Sequence, residues 1–288
     1  MKRMLAAAAA LAVAQAAVAD IRLADDRGRE IVLARPAARI VTLAPHLTEI
    51  AFAAGAGASV VGVSAYSDFP PEATRLPIVS DHGKVNFEEI ATLKPDLALM
   101  WSSGNRSPDF DRLESRGVQV FATEARRPED IARILRLVGR LAGTEPVADA
   151  AARDLETRFA ALRERYRGRP TVRVFYEIWP EPLMTVNGSH LISYLVDLCG
   201  GKNVFADAAP FTPTISREQV LVADPDAIVV AAPQPRARER VAFWRSQRLR
   251  AGRGARVYAI DPAAAHRMSP RVIDGAVELC ETLERARK

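Results

Sequence analysis

The sequence is poor in the residues that usually announce chemistry. Its 288 residues include two cysteines, four histidines and 6% aromatics. Two sulfurs without a histidine at ligand spacing do not make a closed zinc shell. His46, His82, His190 and His266 share no metal-ligand spacing with one another. A GxSxG elbow, an HExxH pair, a Gly-Lys-Ser phosphate loop and a GxGxxG turn are all missing, which removes the commonest hydrolase, metalloprotease and nucleotide-binding signatures. An exported hydrolase or metal enzyme built from scattered residues stays open, and nothing in the sequence favours it. No apolar run beyond the N-terminus reaches the roughly 18 residues that span a bilayer. An excess of one charge is lacking too: the formal net charge is +5, and +3 without Lys2 and Arg3. Eight arginines between Arg236 and Arg256, with Phe243 and Trp244, read as a solvated helix face rather than a nucleic-acid surface. With 49% hydrophobic and 26% charged residues, the composition is that of a soluble globular protein, and disorder, collagen and a disulfide-dense miniprotein are excluded.

What is present begins with an address. Residues 1–19 read as a secretory signal: Lys2 and Arg3 start it, Leu5 to Val13 form its apolar stretch, and Ala17-Val18-Ala19 supply the small residues of a cleavage site. No cysteine lies nearby to carry a lipid anchor, so the mature chain is expected to start at Asp20 and to be released into a Gram-negative periplasm. In that oxidising compartment Cys199 and Cys280 suggest one bridge, with a pair of buried thiols as the other possibility.

Residues 21–33 alternate around a glycine-containing turn and predict a β-hairpin. Strands are expected at Arg39–Leu43, Val60–Val63, Leu97–Trp101 and Val118–Ala122. Helices are expected after Pro45, over Phe87–Leu93, Asp109–Arg116 and Pro128–Ala142. That alternation predicts an α/β lobe with a parallel sheet over residues 20–143. Residues 144–168 then predict one long connecting helix, apolar at Val147, Ala151, Leu155, Phe159, Leu162 and Tyr166. A second α/β lobe, 169–288, repeats the first. The run from Glu88 through Pro95-Asp96-Leu97 recurs 130 residues later as Glu218 through Pro225-Asp226-Ala227. Two such lobes joined by one helix leave a ligand cleft between them.

Aromatics mark that cleft. Tyr66 follows one strand, Trp101 ends another, and Trp179 follows the strand over Val174–Ile178. Strand ends of α/β lobes are where sites form, and three aromatics at such positions suit a large, flat, partly apolar ligand.

Taken together, several segments carry a resemblance. They are Arg39-Ile40-Val41-Thr42-Leu43 with Thr48-Glu49, Tyr66-Ser67-Asp68-Phe69-Pro70-Pro71, Leu93-Lys94-Pro95-Asp96-Leu97, Leu198-Cys199-Gly200-Gly201, Ser216-Arg217-Glu218-Gln219, and Ser269-Pro270-Arg271 before Leu279-Cys280. From about Arg39 to the C-terminus the chain resembles the periplasmic cobalamin (vitamin B12)-binding proteins of bacterial ABC importers, in the helical-backbone class that also binds haem and ferric siderophores. The resemblance implies a non-enzymatic binding protein, monomeric when free, that needs no cofactor and takes up cobalamin as cargo for an inner-membrane permease with its ATPase. It implies ligand contacts at Tyr66, Trp101 and the stretch Ala263, Ala264, Ala265, His266 and Arg267. It also implies permease docking through Glu88 and Glu218, and a disulfide between Cys199 and Cys280. Two positions depart from the pattern. His82 stands where the family has a tryptophan and offers an imidazole to a ligand metal, and Ala263–Ala265 replace larger contact residues, with Trp179 expected to refill the volume. Haem, cobinamide or a ferric siderophore are therefore the other cargoes to consider.

Overall fold

A computed structural model describes residues 20–81, 84–233 and 235–288. The expected signal segment, residues 1–19, and His82 lie outside the described residues. The chain opens with the expected hairpin, β1 (Ile21–Ala24) and β2 (Glu30–Leu33). The first lobe's sheet contains β3 (Ile40–Thr42), β4 (Val60–Ser64), β5 (Ile78–Asp81), β6 (Lys84–Val85), β7 (Leu97–Trp101) and β8 (Gln119–Thr123). Their order is β6-β5-β4-β3-β7-β8, parallel except for β6. Helices α1 (Pro45–Ala53), α2 (Phe87–Leu93), α3 (Ser107–Glu114) and α4 (Pro128–Ala142) complete it, and α5 (Glu145–Tyr166) leaves it.

The second lobe holds β9 (Val172–Glu177), a two-residue ribbon β10 (Trp179–Pro180) and β11 (Leu183–Met184), then β12 (Gly201–Asn203), β13 (Ala227–Ala231) and β14 (Val257–Ile260). Its helices are α6 (Leu191–Leu198), α7 (Arg217–Ala223), α8 (Arg236–Arg245), α9 (Arg250–Arg253), α10 (Pro262–Ala265) and α11 (Val272–Ala286). Its parallel sheet runs β12-β9-β13-β14, which matches β4-β3-β7-β8 of the first lobe strand for strand. The first lobe is the larger, because β5 and β6 have no counterpart.

The Pro-Asp repeat has a mechanical reason. Asp96 accepts hydrogen bonds from the Ala38 and Arg39 amides at 2.9 and 3.0 Å, and Asp226 accepts one from the Arg173 amide at 3.0 Å. Each carboxylate pins the start of its lobe's central strand to the start of its neighbour. Arg39 then donates to the Leu93 carbonyl, and Arg173 to those of Ala223 and Asp224, so an arginine closes the C-terminus of α2 and of α7. Both helices end on left-handed residues, Lys94 and Asp224, and begin on side-chain caps, Asn86 and Ser216.

Helix α5, about 33 Å long at 1.5 Å per residue, joins the lobes. It buries Leu155, Phe159, Leu162 and Tyr166 as expected, but near its start Ala148 and Ala152 face inward and Val147 is 52% exposed. The register differs because α4 and α5 approach closely there. A Cβ on Gly139 would lie 2.3 Å from that of Ala148, so only small residues fit. Arg136 clamps Glu156 at 2.7 and 2.8 Å on one side, and Arg158 reaches Asp274 of α11 at 2.6 Å on the other. The helix is thus tied to both lobes.

The arginine-rich stretch works inside the second lobe as much as on its surface. Glu177, buried at the end of β9, receives Arg240 at 2.7 and 2.6 Å and the Trp244 indole at 2.5 Å. Arg250 pairs with Asp224 and Asp226. Trp244 is fully buried rather than part of an exposed face.

Cys199 and Cys280 form a disulfide that ties α6 to α11 across 81 residues. Loop-closure entropy for that length is worth about 4 kcal/mol. Replacing both cysteines with serine should lower stability by about that amount in denaturant unfolding. A change below about 1 kcal/mol would show that packing alone holds α11 in place.

Candidate functional site

The C-terminal ends of the strands of both sheets carry the residues of interest. Tyr66 sits two residues beyond β4, Trp101 ends β7, Trp179 follows β9, and Ala263–Arg267 follow β14. The loop after β4 is set by a chain of buried hydroxyls: Thr42 to Thr48 at 2.7 Å, Thr48 to Ser67 at 2.8 Å, and Ser67 to Ser64 at 3.2 Å. This fastens the loop to α1 and turns Tyr66 outward, 63% exposed, with a φ of 65°. An aromatic residue in the left-handed region costs about 1–3 kcal/mol, so the surrounding bonds must hold it there.

Trp101 is half-buried and fixed. Asn105 accepts from its amide at 2.7 Å while donating to the Leu43 carbonyl at 2.9 Å. Its ring meets the buried His46 imidazole edge-on at 5.2 Å. Gly104 makes room on another side, since a Cβ there would come within 1.8 Å of the indole. Trp179 is 51% exposed on the small ribbon, its indole donating to the Glu181 carbonyl at 2.9 Å, with the Arg236 guanidinium 6.0 Å from its ring centroid.

The stretch 263–267 divides. Ala263 and Ala264 are partly exposed, whereas Ala265 is 3% exposed and lies against Gly275. His266 turns inward, with Nε2 3.1 Å from the Tyr176 hydroxyl. Arg267 crosses to the first lobe. One of its nitrogens donates to Glu49 at 2.8 Å and forms a close ion pair with Asp68, and the other reaches the Tyr66 carbonyl at 3.2 Å.

Glu49, which had no assigned role from sequence, is the hub of this contact. Its buried carboxylate on α1 also accepts from Ser269 at 2.5 Å and from Arg271 at 2.9 and 2.7 Å. Arg271 stacks over the Phe69 ring at 4.1 Å. Burial alone would push the Glu49 carboxyl up. The bonds from Arg271, Ser269 and Arg267 outweigh it and hold the group below its ordinary range. A cavity of about 500 Å³ adjoins the contact, lined by Glu49, Phe52, Ala53, Phe69 and Pro70 among others. The only sequence signals for the hub were an acidic residue in an apolar helix and the Ser-Pro-Arg segment, neither of which reveals that they meet.

Phe211 also escaped the sequence reading. It is 40% exposed, with its ring 4.6 Å from that of His190. Glu88 and Glu218 are exposed in the first turns of α2 and α7, at equivalent stations of the two lobes. Among the described residues no cluster of three or more His, Cys, Asp or Glu side chains could hold a metal ion, and no helix is long and apolar enough to cross a membrane.

Three histidines are held neutral by burial, His46, His190 and His266, each pushed down to about 4. Each therefore takes its proton more readily in the unfolded chain, whose value is about 6.5. Their contribution is complete above about pH 6.5 and is lost as pH falls through about 4. Glu49, with its value lowered, adds a loss in the same direction below about pH 4.3. The melting temperature should fall across this window, less steeply in His46→Gln, and a flat profile would contradict the placement of these rings. Glu49→Ala, which leaves the part-buried Arg271 without its carboxylate and Arg267 with Asp68 alone, should cost roughly 3 kcal/mol in denaturant unfolding. A loss under about 1 kcal/mol would show that the contact is not desolvated.

Comparison with known proteins agrees with this layout. A periplasmic binding protein family model matches residues 40–264. The vitamin B12-binding protein of Vibrio cholerae is 35% identical over 253 residues, covering 88% of this chain and 91% of that protein. The crystal structure of the periplasmic vitamin B12 binding protein of Vibrio cholerae superposes with a TM-score of 0.82 at 36% identity, over 88% of this chain and 99% of that one. A periplasmic haem-binding protein from Roseiflexus shares the fold, with a TM-score of 0.76 at 24% identity over 87% and 99% of the two chains.

Proposed function

The chain belongs to the periplasmic binding protein family, and from that premise we propose that it captures cobalamin between its two lobes and delivers it to an inner-membrane ABC permease with its ATPase. The observation that carries the reading is the 35% identity to a vitamin B12-binding protein along 88% of the chain. The site's chemistry supports it. A corrin is a broad, flat macrocycle with apolar faces and a rim of amides. Tyr66, Trp101 and Trp179 offer aromatic surface from both lobes at their strand ends. Burial of such surface is the main favourable term, at about 25 cal/mol per Å². Backbone carbonyls and the Tyr66 hydroxyl suit the amide rim.

Delivery rests on the matched stations of Glu88 and Glu218. A carboxylate in the first turn of an equivalent helix in each lobe presents two like charges outward from one face pattern, which suits arginines on a permease. The exported form begins at Asp20 and acts as a free periplasmic monomer. Because α5 is clamped to both lobes and Glu49 ties them together, capture proceeds with little hinge motion.

Calorimetric titration of the purified protein with cyanocobalamin, with cobinamide and haemin in parallel, should give a one-to-one isotherm at micromolar affinity or tighter for the corrinoid. Silence with cobalamin and binding of haemin would move the cargo to haem. Turnover of a substrate, or metal retained through dialysis, would move the protein to the enzymes. Glu88→Arg combined with Glu218→Arg should abolish uptake by cells and leave ligand affinity unchanged, and equal loss of both would remove the docking role.

A further inference from the structure

The interlobe contact also brings two arginines and two carboxylates together. Glu49 has one negative charge and divides it between two guanidiniums, accepting two bonds from Arg271 and one from Arg267. With Glu49 alone the group would carry a net positive charge next to Tyr66. Asp68 supplies the second negative charge. It pairs with the same Arg267 nitrogen that reaches Glu49, and that pairing keeps its carboxyl below the ordinary range, so it is ionised at neutral pH. Two arginines and two carboxylates then balance. The Arg267 side chain is 17% exposed and that of Asp68 62%, so Asp68 is the member of the balance that faces solvent.

We propose that Asp68 is a specificity-determining residue: with Glu49 it cancels the charge of Arg267 and Arg271, so neither of these two offers an unbalanced guanidinium beside Tyr66 to a macrocycle that bears carboxylates. The proposal rests on the reading that ligand lies against Tyr66 and Arg267. An amide-rimmed macrocycle loses nothing by this arrangement. A carboxylate-bearing one finds the arginine already satisfied and meets the Asp68 carboxylate besides, and like charges at a binding surface suppress the wrong partner. Arg236, over the Trp179 ring, is the cation against which the assignment to Arg267 is checked.

The test uses two pairs of probes that differ in carboxylates alone: haemin against its dimethyl ester, and cyanocobalamin against a monocarboxylic acid made from it by hydrolysis of one amide. Affinities come from quenching of tryptophan fluorescence. In the native protein the neutral member of each pair should bind as well as or better than the acid. Asp68→Asn should shift the acid-to-neutral ratio toward the acid by about fivefold, as expected for freeing one partner of a half-exposed pair. Adding Arg267→Gln should remove the shift, and adding Arg236→Gln should leave it. An unchanged ratio in Asp68→Asn, or a shift that survives Arg267→Gln, overturns the proposal. The ratio is read in whichever pair binds, so failure of cyanocobalamin to bind removes the corrinoid reading without deciding the charge balance. Binding of none of the four probes removes both.

Discussion

One buried carboxylate organises the space between the lobes. Glu49 sits on the first helix of the first lobe, and its carboxylate accepts from Arg267, Ser269 and Arg271 in the loop that follows the last strand of the second. Removing a charge from water is costly unless its bonds are well made, and here two guanidiniums and a hydroxyl satisfy it. The cluster does more than add stability. It sets where the loop 261–271 stands, brings Arg267 under the Tyr66 carbonyl, and so supports an aromatic held in an unfavourable backbone conformation.

Two sheets of the same strand order, each with its C-terminal strand ends carrying aromatic or loop residues, give a ligand two similar walls. Parallel sheets place their binding loops at that edge because the helices return along the faces. The connecting helix packs on α4 and is bonded to α11, so it is held against both lobes. The gap is thus shaped by contacts within the chain, and its interlobe arginines are already paired with Glu49 and Asp68.

Much of this was legible in the sequence. The hairpin, the boundaries of Leu97–Trp101 and Pro128–Ala142, the connecting helix and the 130-residue repeat all carry local signals: alternation, caps, and Pro-Asp turns whose carboxylates pin strand starts. The disulfide was suggested by two cysteines in a chain read as exported and implied by the family resemblance, and it is formed. The short strands β5, β6, β10 and β11 lacked such signals, because two to four residues do not establish a period. The register of α5 near Ala148 depended on Gly139, a residue nine positions away on another helix. At the candidate site, the places of Tyr66, Trp101 and Trp179 at strand ends were readable, and Tyr66 and Trp179 are exposed there. Glu49 with Ser269 and Arg271 was not readable, since the partners are 220 and 222 residues apart and each is unremarkable in its own segment. His266, expected toward the ligand, turns instead to the Tyr176 hydroxyl, a preference that only the packed second lobe creates.

The most direct test of the account is a crystal structure of the protein with cyanocobalamin bound. The corrin should lie between Tyr66 and Trp101 on one side and Trp179 on the other, with Arg267 and Arg271 still bonded to Glu49. A corrin bound elsewhere, or lobes parted with the Glu49 bonds broken, would contradict it.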